Sequence, residues 1–405
     1  MDGMPSSGQP QPSLLPFVAA QPLVDHHCHG VLRAGGDLAG LLNEAEGAAV
    51  ADGMPFDSLA GLAFRRWCPP LLGLESHASI EAYRERRAAL DAAEVNERFL
   101  RAAGLDALCV DSGYTPADLT SPAETASLAG AAAFEIVRLE QVAETLARSG
   151  TRAATFPDAY RSALSEWVSM PSFGARVVGF KSIAAYRVGL ALDGRRPSDG
   201  EVVVAVARWL GRAHNGAGKR SAVGKPAGDG TPARLADEVL HRFFIWCAAD
   251  LGLPIQFHVG YGDRDIDLHR CNPLLLADLL RALEPTGVPV MLLHNYPYHR
   301  EAGYLAQVFP HVYADLGLAT HNAGARATAL LGEALELVPL RKFLFSSDAF
   351  GLPELYYLGA LLFRRALSSF LSARLADDDV SYADAERITR LIGAENARRA
   401  YRLLP

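Results

Sequence analysis

Three things are scarce in this sequence. Five cysteines (Cys28, Cys68, Cys109, Cys247 and Cys271) are scattered through 405 residues, odd in number and free of any Cys-x-x-Cys pair. That spacing excludes a structural zinc ribbon and suits reduced thiols in a cytoplasmic protein. The formal net charge of −7, with no run of basic residues, argues against a nucleic-acid surface. No apolar stretch approaches the roughly 18 residues that a membrane span needs, so no membrane partner is expected. The first twenty residues carry Pro5, Pro10, Pro12 and Pro16 but lack a basic start followed by an apolar run. They read as a flexible leader, residues 1–20, rather than a targeting signal.

What is abundant is apolar surface: half of the residues are hydrophobic. A chain of this length and composition fits two ordinary domains or one large α/β barrel with insertions. The most informative stretch is Leu23-Val24-Asp25-His26-His27-Cys28-His29-Gly30, read as a short buried strand. Side chains alternate across a strand, so His27 and His29 share a face and Cys28 points away. Two imidazoles on a rigid strand suit a divalent metal, each offering one nitrogen at about 2.0 to 2.1 Å.

Residues 31–103 are too long for an ordinary strand-to-helix loop and hold helical patterns such as Ile80 to Leu100, with a break at Trp67-Cys68-Pro69-Pro70. They read as an inserted helical cap or, equally, as a packing subdomain. A second strand is expected over Leu105 to Gly113 and a third over Phe134 to Glu140, although Glu135 to Ala147 also fits one helix. As a strand, the third would place Arg138 and Glu140 on one face. Arg176 to Ile183 is the fourth, with Lys181 near its end. An unpaired buried ammonium is costly, so Lys181 is expected to bind a substrate carboxylate or to carry a carbamate. The plain alternative is a lysine that reaches outward from a strand end. Arg187 follows as another anion clamp.

The glycine-rich segment around 190–235, broken by a helix at Val202 to Leu210, reads as an exposed loop. Gly218 to Pro226 superficially suggests a phosphate loop, but its glycine spacing is wrong, Pro226 replaces the hydroxyl residue and no strand leads in. Further strands are expected over Leu253 to Gly260, Val288 to Asn295, His311 to Leu316 and Lys342 to Ala349, alternating with helices at Pro232 to Leu251 and Pro273 to Leu283. Helices at Leu355 to Leu375 and Tyr382 to Tyr401 close the chain.

Eight apolar strands alternating with helices predict a (β/α)8 TIM barrel, as a single domain over residues 21–405. In that fold the active site lies at the strand C-terminal ends. His27 with His29, His258, His294 and Asp348 all fall at such ends. A lone buried histidine is more often structural than functional, but random placement would not put every candidate at the same edge. His77, His214, His241, His269, His299, His311 and His321 lack this placement and are read as structural or solvent-facing.

The set Asp25-His26-His27-Cys28-His29, Lys181, His258, His294 and Asp348 resembles the amidohydrolase superfamily over almost the whole chain. More narrowly, Gly179 to Arg187, His294 to Tyr304 and Ser346-Ser347-Asp348-Ala349 look like the amidohydrolase-type domain of FluG and nodulin-like proteins. Such relatives often carry a glutamine-synthetase-like domain after the barrel. Because this sequence stops at Pro405, that half is expected to be absent and its function is not transferred.

The resemblance implies that His27, His29, His258 and Asp348 hold one divalent ion, zinc ahead of manganese, which activates water and polarises a carbonyl. It implies Asp348 as proton acceptor and His294 as oxyanion stabiliser. Lys181, Arg138 and Arg187 would orient a carboxylate. The expected function is a metal-dependent hydrolase cleaving an amide, or a related C–N or ester bond, of a small carboxylated substrate. A second ion held through Lys181 and His294 is the alternative centre. Nonoxidative decarboxylation or hydration is the rival chemistry, and a catalytically inactive metal-binding scaffold the rival class. A homodimer is the default assembly.

Overall fold

The computed structural model describes residues 14–44, 54–113, 118–171, 173–215 and 233–403. Seven strands, β1 (Leu23–Cys28), β2 (Leu105–Asp111), β3 (Ala132–Arg138), β4 (Arg176–Ser182), β5 (Ile255–Val259), β6 (Val290–His294) and β7 (Val312–Ala314), pair in parallel and in chain order. A parallel pair cannot be joined by a hairpin, so helices cross back between strands. Those helices cover the outer face, and the strands are accordingly largely buried. Most of the core lies between strands and helices. A smaller core lies inside the curled sheet, where Val24, Ile136, Val178 and Leu293 meet Ala394, Ala397, Ala400 and Tyr401 from the end of the chain.

The expected eighth strand is a correction. Among the described residues, Leu340–Lys342 is a 3-10 turn and only Phe343 forms a ladder bridge, with Ala314. The segment 343–349 nevertheless reaches both sheet edges. Leu344 N donates to Ala314 O at 3.0 Å, His26 N to Phe345 O at 3.2 Å and Asp348 N to His27 O at 3.0 Å. It is not a regular strand because side chains replace ladder partners: Ser347 N donates to the Asp25 carboxylate at 3.0 Å rather than to a carbonyl. Asp348 itself has φ +51°, which ends extended geometry.

The third strand also differs. It stops at Arg138, and Leu139–Arg148 is a helix, so Arg138 and Glu140 do not share a strand face. Glu140 is buried and accepts from Ser182 Oγ at 2.9 Å and from Ile183 N at 3.0 Å.

Between β1 and β2 the described residues form helices Leu38–Leu41, Leu59–Leu71, Ile80–Ala88 and Ala92–Ala102. The helical patterns expected from Ile80 to Leu100 are two helices, the second capped by Asp91, which accepts from Ala93 N. The expected break at Pro69-Pro70 lies inside Leu59–Leu71. Pro69 lacks the N–H that would reach Arg65 O, and His77 N supplies it at 2.7 Å. Tyr83 Oη and Arg87 Nε tie the third helix to buried Glu354 at 2.8 and 2.6 Å.

Of the expected leader, residues 14–20 are described. They form the helix Pro16–Ala20 with Val18 buried, and Leu15 N donates to Ser368 Oγ at 2.8 Å. Residues 1–13 lie outside the described residues, as does the rejected phosphate-loop stretch. The helix expected at Val202 to Leu210 runs over Asp199–Asn215, and the closing helix is interrupted by a π turn at Leu391–Glu395.

Candidate metal centre

The centre begins with an irregularity in β1. Asp25 pairs with Leu108 and Cys28 with Val110, so three steps on β1 oppose two on β2. A bulge of this kind re-aims side chains. It lets both His26 and His27 project across the ring of strands: His26 reaches Asp315 and Tyr401, and His27 reaches Lys181 and Asp348.

Around His27 the polar groups are close. Its Nε2 lies 3.0 Å from Asp348 Oδ1 and 3.2 Å from Lys181 Nζ. His29 Nε2 is 3.5 Å from the same carboxylate oxygen, and His294 Nδ1 is 3.4 Å from Asp348 Oδ2. The side chains of His29 and Asp348 are each 12% exposed, whereas that of His27 is fully buried. The cluster is therefore open on the His29 and Asp348 side. His294, Asn295 and Asp348 all have positive φ, at +68°, +60° and +51°. Non-glycine residues adopt this region at a cost of about 1 to 3 kcal/mol each, and such strain gathers at functional sites. Gly317 makes room, since a Cβ there would collide with Ser346 Oγ.

Burial, helped by the Lys181 ammonium, pushes His27 down to about 4 and His258 to about 3, and burial takes His294 well below its ordinary value. These imidazoles are neutral at pH 7, the form that binds metals. Burial brings Lys181 to about 8, against the pull of Asp348 and Asp111. Burial also opposes ionisation of Asp348, but the imidazoles of His294, His27 and His29 outweigh it and hold the carboxyl well below its usual range.

Beneath the cluster Asp315, itself buried, joins three of its carriers. Its Oδ2 accepts from His26 Nε2 at 2.7 Å and from Ser346 Oγ at 2.8 Å, while Oδ1 accepts from His294 N at 2.6 Å. Tyr401 Oη lies 3.0 Å from His26 Nδ1 and accepts from Gln256 Nε2 at 2.8 Å.

The amidohydrolase family model matches residues 174–403, more than half of the chain. The chain belongs to the amidohydrolase family. A candidate metal-dependent hydrolase from Lactobacillus casei ATCC 334 is 30% identical, with a TM-score of 0.76 over 95% of this chain and 96% of that one. The protein fluG of Emericella nidulans is 28% identical over 96% of this chain and 47% of its own length. The chain thus spans about half of that curated relative. A uronate isomerase from Thermotoga maritima, at 12% identity and TM-score 0.59 over 95% of each chain, shares the fold.

The residues of this amidohydrolase-family chain fit a divalent ion. His27 Nε2 cannot donate to Asp348 and accept from Lys181 at once, and the buried Nδ1 atoms of His27 and His29 have no hydrogen-bond partner. Two ligand groups meet the spacing a cation needs: His27, His294 and Asp348, and His27, His29 and Asp111. Neither group includes His258. Its ring stands 4.6 Å from that of His294, and its Nε2 lies 3.2 Å from Tyr261 O.

Arg138 and Arg187 are both engaged with carboxylates. Arg138 pairs with Asp111 at 2.6 Å, and Arg187 with Glu144 at 3.3 Å. The sequence reading missed Asp111 and Asp315. Each ends or follows a strand, the edge where His258 and His294 were found, and that placement was the available signal. His321, read as structural or solvent-facing, is buried, and its titration is influenced by Asp348.

Proposed function

We propose that this protein is a metal-dependent hydrolase that cleaves an amide, or a related C–N or ester bond, in a small carboxylated substrate. The supporting observation is the convergence of His27, His29, His294, Lys181 and Asp348 at one open-sided cluster. A bound divalent ion, zinc first and manganese second, lowers the pKa of water toward neutrality and polarises a carbonyl. His27, His29 and Asp348 would hold one ion, with His258 and His294 beside it.

The chain's own groups supply the rest. Asp348 stays ionised and accepts the proton of the attacking water, then returns it to the leaving nitrogen. His294, neutral and fixed through its backbone N–H to Asp315, donates to the developing oxyanion. Lys181, still largely an ammonium at pH 7, faces the carboxylate end of the substrate, with Arg138 and Arg187 behind it. The description attached to the Lactobacillus casei relative agrees with hydrolysis.

The test is to incubate zinc-loaded protein with N-acyl amino acids, γ-glutamyl amides and aromatic carboxylates, and to follow amine, alcohol and carbon dioxide release. Amine or alcohol release that disappears with a chelator and returns with zinc supports the reading. Carbon dioxide as the only product, or turnover indifferent to metal, overturns it.

A further inference from the structure

We propose that Asp111, at the C-terminal end of β2, is a ligand of the ion at this centre. The inference rests on the metal-centre reading above and adds a carboxylate that it does not contain. Ligand atoms of His27, His29 and Asp111 lie within 4.8 Å of one another. A shell with bonds of about 2.0 to 2.2 Å holds its ligand atoms about 3 to 4 Å apart, so a small inward shift closes the set. The Asp111 side chain is fully buried. His258 stands outside this group, its Nε2 near the Tyr261 carbonyl.

The Arg138 pair is what keeps such a carboxylate in place before an ion arrives. Asp111 Oδ2 accepts from Arg138 Nη2 at 2.6 Å and from Nε at 3.2 Å, and Oδ1 accepts from Gly113 N at 2.8 Å. A carboxylate has about four lone-pair sites, so these bonds leave capacity for a metal. Gly113 is required for the arrangement, because a Cβ there would collide with Arg138 Cβ. The two guanidinium N–H groups of Arg138 hold Asp111 as a carboxylate.

The experiment measures zinc affinity by chelator competition, and the visible absorption of the cobalt-loaded protein, for the full chain and for D348N, D111N, D111E and R138Q. Apoprotein melting temperatures and circular dichroism serve as the fold control. We expect D111N to bind zinc at least tenfold more weakly with an altered cobalt spectrum, and D111E to recover part of that loss. R138Q should keep zinc affinity within about threefold and should gain more in melting temperature on adding zinc, because the ion then supplies the missing counter-charge. Equal losses in D111N and R138Q would make the pair structural and overturn the inference. So would wild-type affinity in D111N beside weakened D348N, which leaves the metal-centre reading standing. Absence of zinc binding by the unmodified chain overturns both.

Discussion

The two ends of the barrel interior are built on opposite terms. At the C-terminal end of the strands, side chains are ionisable, three non-glycine residues have positive φ, and buried imidazole nitrogens lack partners. At the other end Ala394, Ala397, Ala400 and Tyr401 fill the ring with small and apolar groups against Val24 and Val178, and the Tyr401 hydroxyl is bonded. One end departs from the rules of a stable interior and the other obeys them. The layer between, His26 with Asp315, Gln256 and Tyr401, ties them together. Strain at the open end is tolerated because the closed end over-determines the backbone.

The sharpest way to break that comparison is to change one residue at each end. D348N should reduce turnover by on the order of 10³-fold or more, since a general base alone contributes about 10² to 10⁴. Its thermal unfolding without metal should fall only modestly, because an amide of nearly the same volume keeps the packing while giving up the pull on Lys181 and the imidazoles. A large drop in melting temperature would contradict the division. Y401A is the mirror experiment: deleting a buried aromatic side chain costs about 3 to 5 kcal/mol. Urea denaturation should show that loss at the end of the barrel where no chemistry is proposed.

Acid titration separates the ends more finely. Folded His27 and His258 titrate near 4 and 3, below the ordinary 6.5, so the unfolded chain binds more protons between those values. Stability contributed by these groups is present above about pH 6.5 and is lost as the pH falls through that window. Asp25, raised to about 7 by burial, acts in the opposite sense over part of it. With the depressed imidazoles of His27, His258, His294, His311 and His321 against the raised carboxyls of Asp25, Glu135 and Asp263, apoprotein stability is expected to fall from pH 6.5 toward pH 4. The slope should be shallower in H258N. An equal slope in both proteins would remove His258 from the account. The smallest effect is expected away from both ends. The Arg33 to Glu124 pair is nearly half exposed on each side, so R33A should cost under about 1 kcal/mol and leave zinc affinity unchanged.

Much of this architecture was legible in the sequence. Strand periodicity, runs of buried β-branched residues and their regular alternation with helices located β1 to β7, because local pattern and burial agree there. The histidines and Asp348 were readable because all stand at one edge of those strands. Asp111 was not, since an aspartate at a strand end looks like a turn signal until Arg138 is seen to lie across Gly113. Arg138 was read as an anion clamp without its partner, which lies 27 residues away. Asp315 and Tyr401 escaped notice because their work is done by contacts between distant parts of the chain. The eighth segment read as a strand from its composition, yet Ser347 and Asp25 replaced the ladder that a sequence pattern assumes.

The bond between Ser347 and Asp25 joins positions 322 residues apart. Closing so long a loop costs only logarithmically more than closing a short one, but both partners must first exist. During synthesis from the N-terminus, His27 and His29 are therefore present long before the aspartate that faces them. The last seam of the cylinder and the last member of the polar cluster arrive together, so the order of translation postpones assembly of the site until the ring itself can shut.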